Sequence, residues 1–190
     1  MLIRMVKNMT SSNDYVEVEF DWDYNPRDPD WVGEMYSRMV CFHSRYSFGD
    51  FQFDSSLKYE MDKENWWNPS SGHSAIDDFE EYIYKTQDPF VCLPLYLLDH
   101  SGLTIRTYPF NDGWDSSPIG FIYMSREKAR EALGVKRLSS KARKRIKEWL
   151  VSEVEEYDRY LRGVELVTKE EAKDMETREI VREFGWEMIE

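Results

Sequence analysis

The sequence predicts an α+β fold: an antiparallel sheet with helices packed on one side, in a single domain. Three observations lead there. "YVEVEFDWDY" alternates apolar and acidic residues at a spacing of two. "PFVCLPLYLLDHSGLTIRTYPF" places two apolar runs on either side of a tight turn. A long amphipathic stretch, "SSKARKRIKEWLVSEVEEYDRYLRG", then carries a cap at each end. Period two is the mark of a strand and a spacing of three to four that of a helix.

Each element follows from its residues. In "YVEVEFDWDY", Val16, Val18, Phe20, Trp22 and Tyr24 share one face, and Glu17, Glu19, Asp21 and Asp23 the other. This is a half-buried strand with an acidic outer face. "NPRDPDW" breaks it with two prolines. "MVCFHSRYSF" suits either a strand or, through Met35, Met39, Val40 and Phe42, a helix face. Residues 54–75 read as a polar loop region. "SAIDDFEEYIYKT" reads as a short acidic helix, with Ser74 as N-cap and Ile76, Phe79, Tyr82 and Ile83 as its apolar stripe.

A strand, a turn at residues 99–102 and a second strand come next, with Pro94 marking an edge or a bulge. "IGFIYMS" is a further strand. Ser125 caps the helix "REKAREAL", which Gly134 ends. In the long helix, Ser139 or Ser140 caps the start and Gly163 the end. Ala142, Ile146, Trp149, Leu150, Val154, Tyr157 and Leu161 form its apolar stripe. "VELVT" is strand-like, and the tail is either a helix with a Thr168–Glu171 capping box or a returning strand. Residues 1–163 are expected to form the core domain, and residues 164–190 an extension packed on it.

Charge narrows the function classes. The 190 residues carry a net charge of −12, which repels nucleic acid and anionic membrane unless one face departs from the average. One segment does depart. Residues 126–147 hold ten basic and two acidic side chains, against nine and 21 in residues 1–125 and six and 14 in residues 148–190. This basic block loads the start of the long helix with cations, against the helix-dipole preference. It reads first as a solvated surface that neutralises neighbouring acidic strands, and second as a grip for phosphates or an acidic protein. Among nearby aromatics only Trp149 lies close in sequence. No apolar run reaches the length of a membrane span, and the first residues lack the apolar core of a secretory signal. Cys41 and Cys92 read as buried thiols in a reducing cytosol.

Catalytic motifs are weak. Asp99, His100 and Ser101 are consecutive, whereas a Ser-His-Asp relay needs side chains converging from separate elements. Turn chemistry accounts for Asp99, Ser101 and Gly102, leaving His100 over. His43, His73, His100, Asp99, Asp112 and Asp115 show no metal-ligand spacing, so no metal or cofactor is expected. No phosphate loop, nucleophile elbow, zinc ribbon or dinucleotide fingerprint occurs. If the chain is an enzyme, it is a hydrolase or nuclease-like one, with His43, Asp99, His100 and Asp115 converging. His43, His100 and Asp115 should then lie within about 8 Å of one another, close enough for direct or ligand-mediated contact. The acidic residues Glu17, Glu19, Asp21 and Asp23, with Asp77, Asp78, Glu80 and Glu81, could instead imitate a phosphate backbone.

Three blocks carry a resemblance: "MVCFHSRYSFGD" (residues 39–50), "LYLLDHSGLTIRTYPFNDGWDSSPIGFIYMSREKAR" (residues 95–130) and "VEEYDRYLRG" (residues 154–163). They resemble an uncharacterised family carried mainly by bacteriophages and other mobile elements. Its pattern runs MVC, Phe or Trp, HxRYxxGD, then YDHSG, WDSGQVGFIYV and YDQYLxG. Ser117, Pro118 and Ile119 stand here where that pattern has Gly-Gln-Val. The signature positions are His43, Arg45, Tyr46, Gly49, Asp50, Asp99, His100, Ser101, Gly102, Trp114, Asp115, Ser116 and Gly120. The resemblance implies a phage or plasmid accessory gene in a prokaryotic cell. Joined to the acidic faces, it gives the expected function. The chain is a non-catalytic cytoplasmic protein that binds and inhibits a host nucleic-acid-handling defence complex, of anti-CRISPR or anti-restriction type. It has no direct nucleic-acid or membrane contact.

Overall fold

The computed structural model describes residues 15–19, 25–28, 35–43, 45–52, 75–99, 102–111 and 116–168. These form an α+β structure, with an antiparallel sheet and three helices, as the periodicities predict. The chain divides into two compact units, residues 1–25 with 159–190 and residues 26–158. In the first unit, strand β1 (Tyr15–Glu19) pairs antiparallel with the last described strand, β7 (Val164–Thr168), in a register from Tyr15↔Thr168 to Glu19↔Val164. The side chains proposed for the acidic face of β1, and the whole tail after Thr168, lie outside the described residues.

The second unit contains β2 (Arg38–Cys41), β3 (Phe51–Gln52), α1 (Ala75–Thr86), β4 (Pro89–Asp99), β5 (Leu103–Arg106), β6 (Ser116–Ser125) and α2 (Arg126–Leu133). It also holds most of α3 (Ser140–Arg162). Sheet order is β3-β2-β6-β4-β5, antiparallel except for the short β2–β3 pair. The ambiguous "MVCFHSRYSF" resolves as strand β2, because Met39, Val40 and Cys41 each find a partner on β6.

Burial explains why β6 sits in the middle. Ile119, Phe121, Ile122, Tyr123 and Met124 are all buried. A strand covered on both faces reads as a continuous apolar run. Gly120 stands opposite both Cys41 and Leu95. A Cβ there would lie 1.9 Å from the Val40 carbonyl oxygen, so only glycine lets β2 approach this closely. Pro94 has a similar local logic. Its strand pairs with β6 along most of its length but with β5 only from Tyr96 to Asp99, so no ladder on that flank is lost at Pro94. The expected bulge falls next to it, between Leu95 and Tyr96.

Helix α1 lays Phe79 and Ile83 on Val40, Phe121 and Tyr123, with Phe79 edge-on to Phe42 at 4.9 Å. Each such fully buried side chain contributes roughly 1.5–3 kcal/mol. Met39, Ile122 and Met124 alternate to the opposite face and are fully buried as well. Helix α2 is capped as its sequence predicts: Ser125 accepts from the Lys128 amide and Gly134 adopts φ +64°. Helix α3 starts with the Ala142 amide donating to Ser139 Oγ, and it buries Ile146, Leu150, Val154 and Tyr157. Two hydrogen bonds tie it to the sheet region. The Gly49 amide donates to Tyr157 Oη, and the Ile105 amide on edge strand β5 donates to Asp158 Oδ1, both at 2.9 Å. Among the described residues no helix is long and apolar enough to cross a membrane.

Candidate functional site

The segment after β2 gathers several of the singled-out residues. The Arg45 amide donates to His43 Nδ1 at 3.2 Å, so that nitrogen is an acceptor. The His43 ring stacks on Tyr46 at 5.0 Å and meets Phe48 edge-on at 5.6 Å. The Arg45 guanidinium lies 5.5 Å from the Tyr46 ring centroid and forms an ion pair with Asp99 at the end of β4. The segments 39–50 and 95–130 therefore touch here. Arg45 is 67% and Asp99 31% exposed, so this pair is worth less than about 1 kcal/mol. It orients the segment more than it stabilises the fold.

Asp50 has a deeper role. Its amide donates to the Met39 carbonyl at 2.8 Å, and its Oδ2 accepts from the Met39 amide at 2.9 Å. Its Oδ1 accepts from Arg27 Nε at 2.7 Å. Arg27 Nη1 reaches Glu153 Oε2 on α3 at 2.7 Å and donates to Ser37 Oγ at 3.1 Å, and Ser37 Oγ also donates to Glu153. Arg27 is 2% exposed. Burial pushes the Asp50 carboxyl above the usual aspartate range, while the Arg27 charge and the Met39 amide oppose that rise. Gly49 just before it sits at φ +70°, where a Cβ would come 2.5 Å from the Met39 oxygen. This cluster is the structural reason for Gly49 and Asp50 and borders a cavity of about 350 Å³. Sequence reasoning missed Arg27 and Glu153, which lie 23 and 103 positions from Asp50 with no spacing to link them.

His73, His100, Ser101, Asp112, Trp114 and Asp115 lie outside the described residues, and so does the expected approach of His43, His100 and Asp115. Ser116 opens β6, and Gly102 is exposed at φ +149° with open space around it. Among the described residues no group of three His, Cys, Asp or Glu side chains is placed to hold a metal ion. Cys41 and Cys92 are free thiols on β2 and β4, with β6 running between them. Two strand spacings, about 9–10 Å, are too far for a disulfide.

Of the acidic residues, Asp77, Glu80 and Glu81 are exposed on α1, whereas Asp78 is 7% exposed and turned inward. Tyr82, four positions on and half-buried, is the signal that would have separated it. Glu17 and Glu19 belong to β1, and Asp21 and Asp23 lie outside the described residues.

The basic segment lines a second cavity, of about 370 Å³, with Arg126, Arg143 and Lys147. Phe90 from β4, Tyr84 from α1 and the Asp88 carboxylate are among its other lining residues. Aromatic residues 36 or more positions away thus interleave with cations that have only Trp149 near them in sequence.

Comparison with protein-family models, with curated proteins and with solved structures found no match for this chain.

Proposed function

We propose that this protein is a non-catalytic binding module, a phage or mobile-element accessory protein. Acting in the cytoplasm of a prokaryotic host, it inhibits a nucleic-acid-handling defence complex of anti-CRISPR or anti-restriction type. The observation that carries the reading is the outer face of α1. Asp77, Glu80 and Glu81 project from a helix whose opposite side is locked into the core by Phe79 and Ile83. Residues three and four apart on a helix have Cβ atoms about 5–6 Å from one another, so these carboxylates form a rigid, closely spaced anionic row. Such a row, on a chain of net charge −12, suits a groove built for phosphates. The module needs no cofactor, and through the acidic row it contacts the partner protein, not its nucleic acid.

The test is affinity capture from prokaryotic lysate with the tagged chain, followed by competition with duplex DNA. The expected result is recovery of a DNA- or RNA-processing complex that DNA displaces and that the E80K/E81K variant fails to capture. Recovery of nothing above background, or capture unaffected by both DNA and the variant, refutes the reading. Both substituted side chains are exposed and lie on the solvent side of α1. The Glu81–Lys85 pair lost in the variant is worth at most about 0.5 kcal/mol.

A further inference from the structure

The cavity beside the basic segment has a chemistry that the acidic row does not use. Its cations come from two helices: Arg126 opens α2, and Arg143 and Lys147 sit one turn apart on the same side of α3. Arg126 pairs with Asp88 at 3.0 Å, but both side chains are well exposed, at 41% and 75%. Among the described residues, Arg143 and Lys147 have no carboxylate within ion-pair distance. The first turn of α3 holds no acidic residue, so the helix dipole adds to the positive potential at that end. Three lining cations, set against the exposed Asp88 carboxylate and against Glu80, which acts on Tyr84 and Cys92 from α1, leave the cavity net positive on an otherwise acidic protein. Such a cluster of exposed cations raises the local concentration of anions.

Phe90 makes the arrangement specific. Its ring is 4% exposed and lies 4.8 Å from the Arg143 guanidinium and 5.7 Å from that of Arg126. Cation–π contact of this kind holds two planar guanidinium groups in place before any ligand arrives. Oriented guanidinium forks match the oxygens of a phosphate, and a neighbouring lysine adds a point charge. Tyr84, on the rim, is 56% exposed, and an exposed aromatic ring is a platform on which a base stacks. A volume of about 370 Å³ lies within the range of small-ligand sites.

We propose that this cavity binds a nucleotide 5′-phosphate, the phosphate held by Arg126, Arg143 and Lys147 and the base set against Tyr84. The nucleotide is either free or the 5′ end of a strand, and both present the same chemistry. Isothermal titration calorimetry of the full chain tests it with inorganic phosphate, adenosine monophosphate, and a ten-nucleotide single strand carrying a 5′-phosphate or a 5′-hydroxyl. The expected result is saturable binding of adenosine monophosphate, at least tenfold tighter than inorganic phosphate and weaker at higher salt. R143A/K147A should weaken it at least tenfold. Tyr84→Ala should weaken adenosine monophosphate several-fold and leave inorganic phosphate unchanged. A phosphorylated strand that binds more tightly than both the mononucleotide and the hydroxyl strand supports the site with a strand end as its source. The reverse order supports it with the free nucleotide. Absence of saturable binding overturns the proposal. So does an R143A/K147A protein that binds as the parent does, or a Tyr84→Ala protein with no selective loss. Should the double variant fail to fold, Lys147→Ala alone serves, because Lys147 is exposed and its loss should still weaken binding several-fold.

Discussion

Arg27→Met is the sharpest test of how the central unit holds together. The substitution keeps most of the aliphatic stem and removes the guanidinium that separates Asp50 from Glu153. Those side chains are 7% and 17% exposed, so little water is available to replace the lost charge. Breaking a buried ion pair from one side costs about 3–5 kcal/mol. Partial solvent access at Glu153 places the expected loss near the lower end, about 3 kcal/mol at pH 7. The pH dependence follows from Asp50. Burial already raises its carboxyl above the ordinary value, and Arg27 opposes that rise, so without Arg27 the carboxyl titrates higher still. An acid with a raised value holds its proton in the fold where the unfolded chain has lost it. Its stabilising contribution is complete below the ordinary aspartate value of roughly 3.9 and is lost as pH rises through the folded value. The Arg27→Met deficit should therefore shrink on going from pH 7 towards pH 4, by about 1.4 kcal/mol for each pH unit by which the titration moves. Urea unfolding followed by tryptophan fluorescence at several pH values measures this directly. R27M/D50N should lie closer to D50N than R27M lies to the parent, because the uncompensated carboxylate is gone. A neutral-pH loss under 1 kcal/mol, or a deficit that grows on acidification, would refute the reasoning.

Two further outcomes are expected. Gly120→Ala must push β2 from β6, since its Cβ would sit 1.9 Å from a backbone oxygen, and should cost about 3 kcal/mol or more. Gly134→Ala meets open space and bears only the left-handed backbone cost, about 1–2 kcal/mol; equal losses in thermal unfolding would contradict the β2–β6 geometry. Burial pushes the Cys92 thiol up to about 12 and raises Cys41 as well. At pH 8 iodoacetamide should therefore alkylate both far more slowly in the folded chain than in urea, and matching rates would show the thiols to be accessible.

The elements that sequence reading located are those whose causes lie within a few residues. Ser125 and Gly134 bracket α2, Ser139 and Gly163 bracket α3, and the apolar run before Asp99 returns after Gly102. The stripe of Ile146, Leu150, Val154 and Tyr157 was readable because helix geometry turns spacing into a face. "MVCFHSRYSF" was not, because its apolar residues satisfy both periods and only the ladder to β6 decides between them. The acidic row was legible as composition. Which of its members points outward was decided by how α1 packs on the sheet.

The candidate sites divide along the same line. From the sequence alone came the acidic balance, the isolated basic block and the motif residues His43, Arg45, Asp50 and Asp99, all properties of single positions or short spacings. Tertiary structure alone set Arg27 between Asp50 and Glu153, brought Arg45 to Asp99, and slid Phe90 beneath Arg143. Helix and turn signals act over three or four bonded neighbours. A buried ion pair or a cation over a ring needs only that two surfaces meet, and no spacing in the chain encodes that meeting.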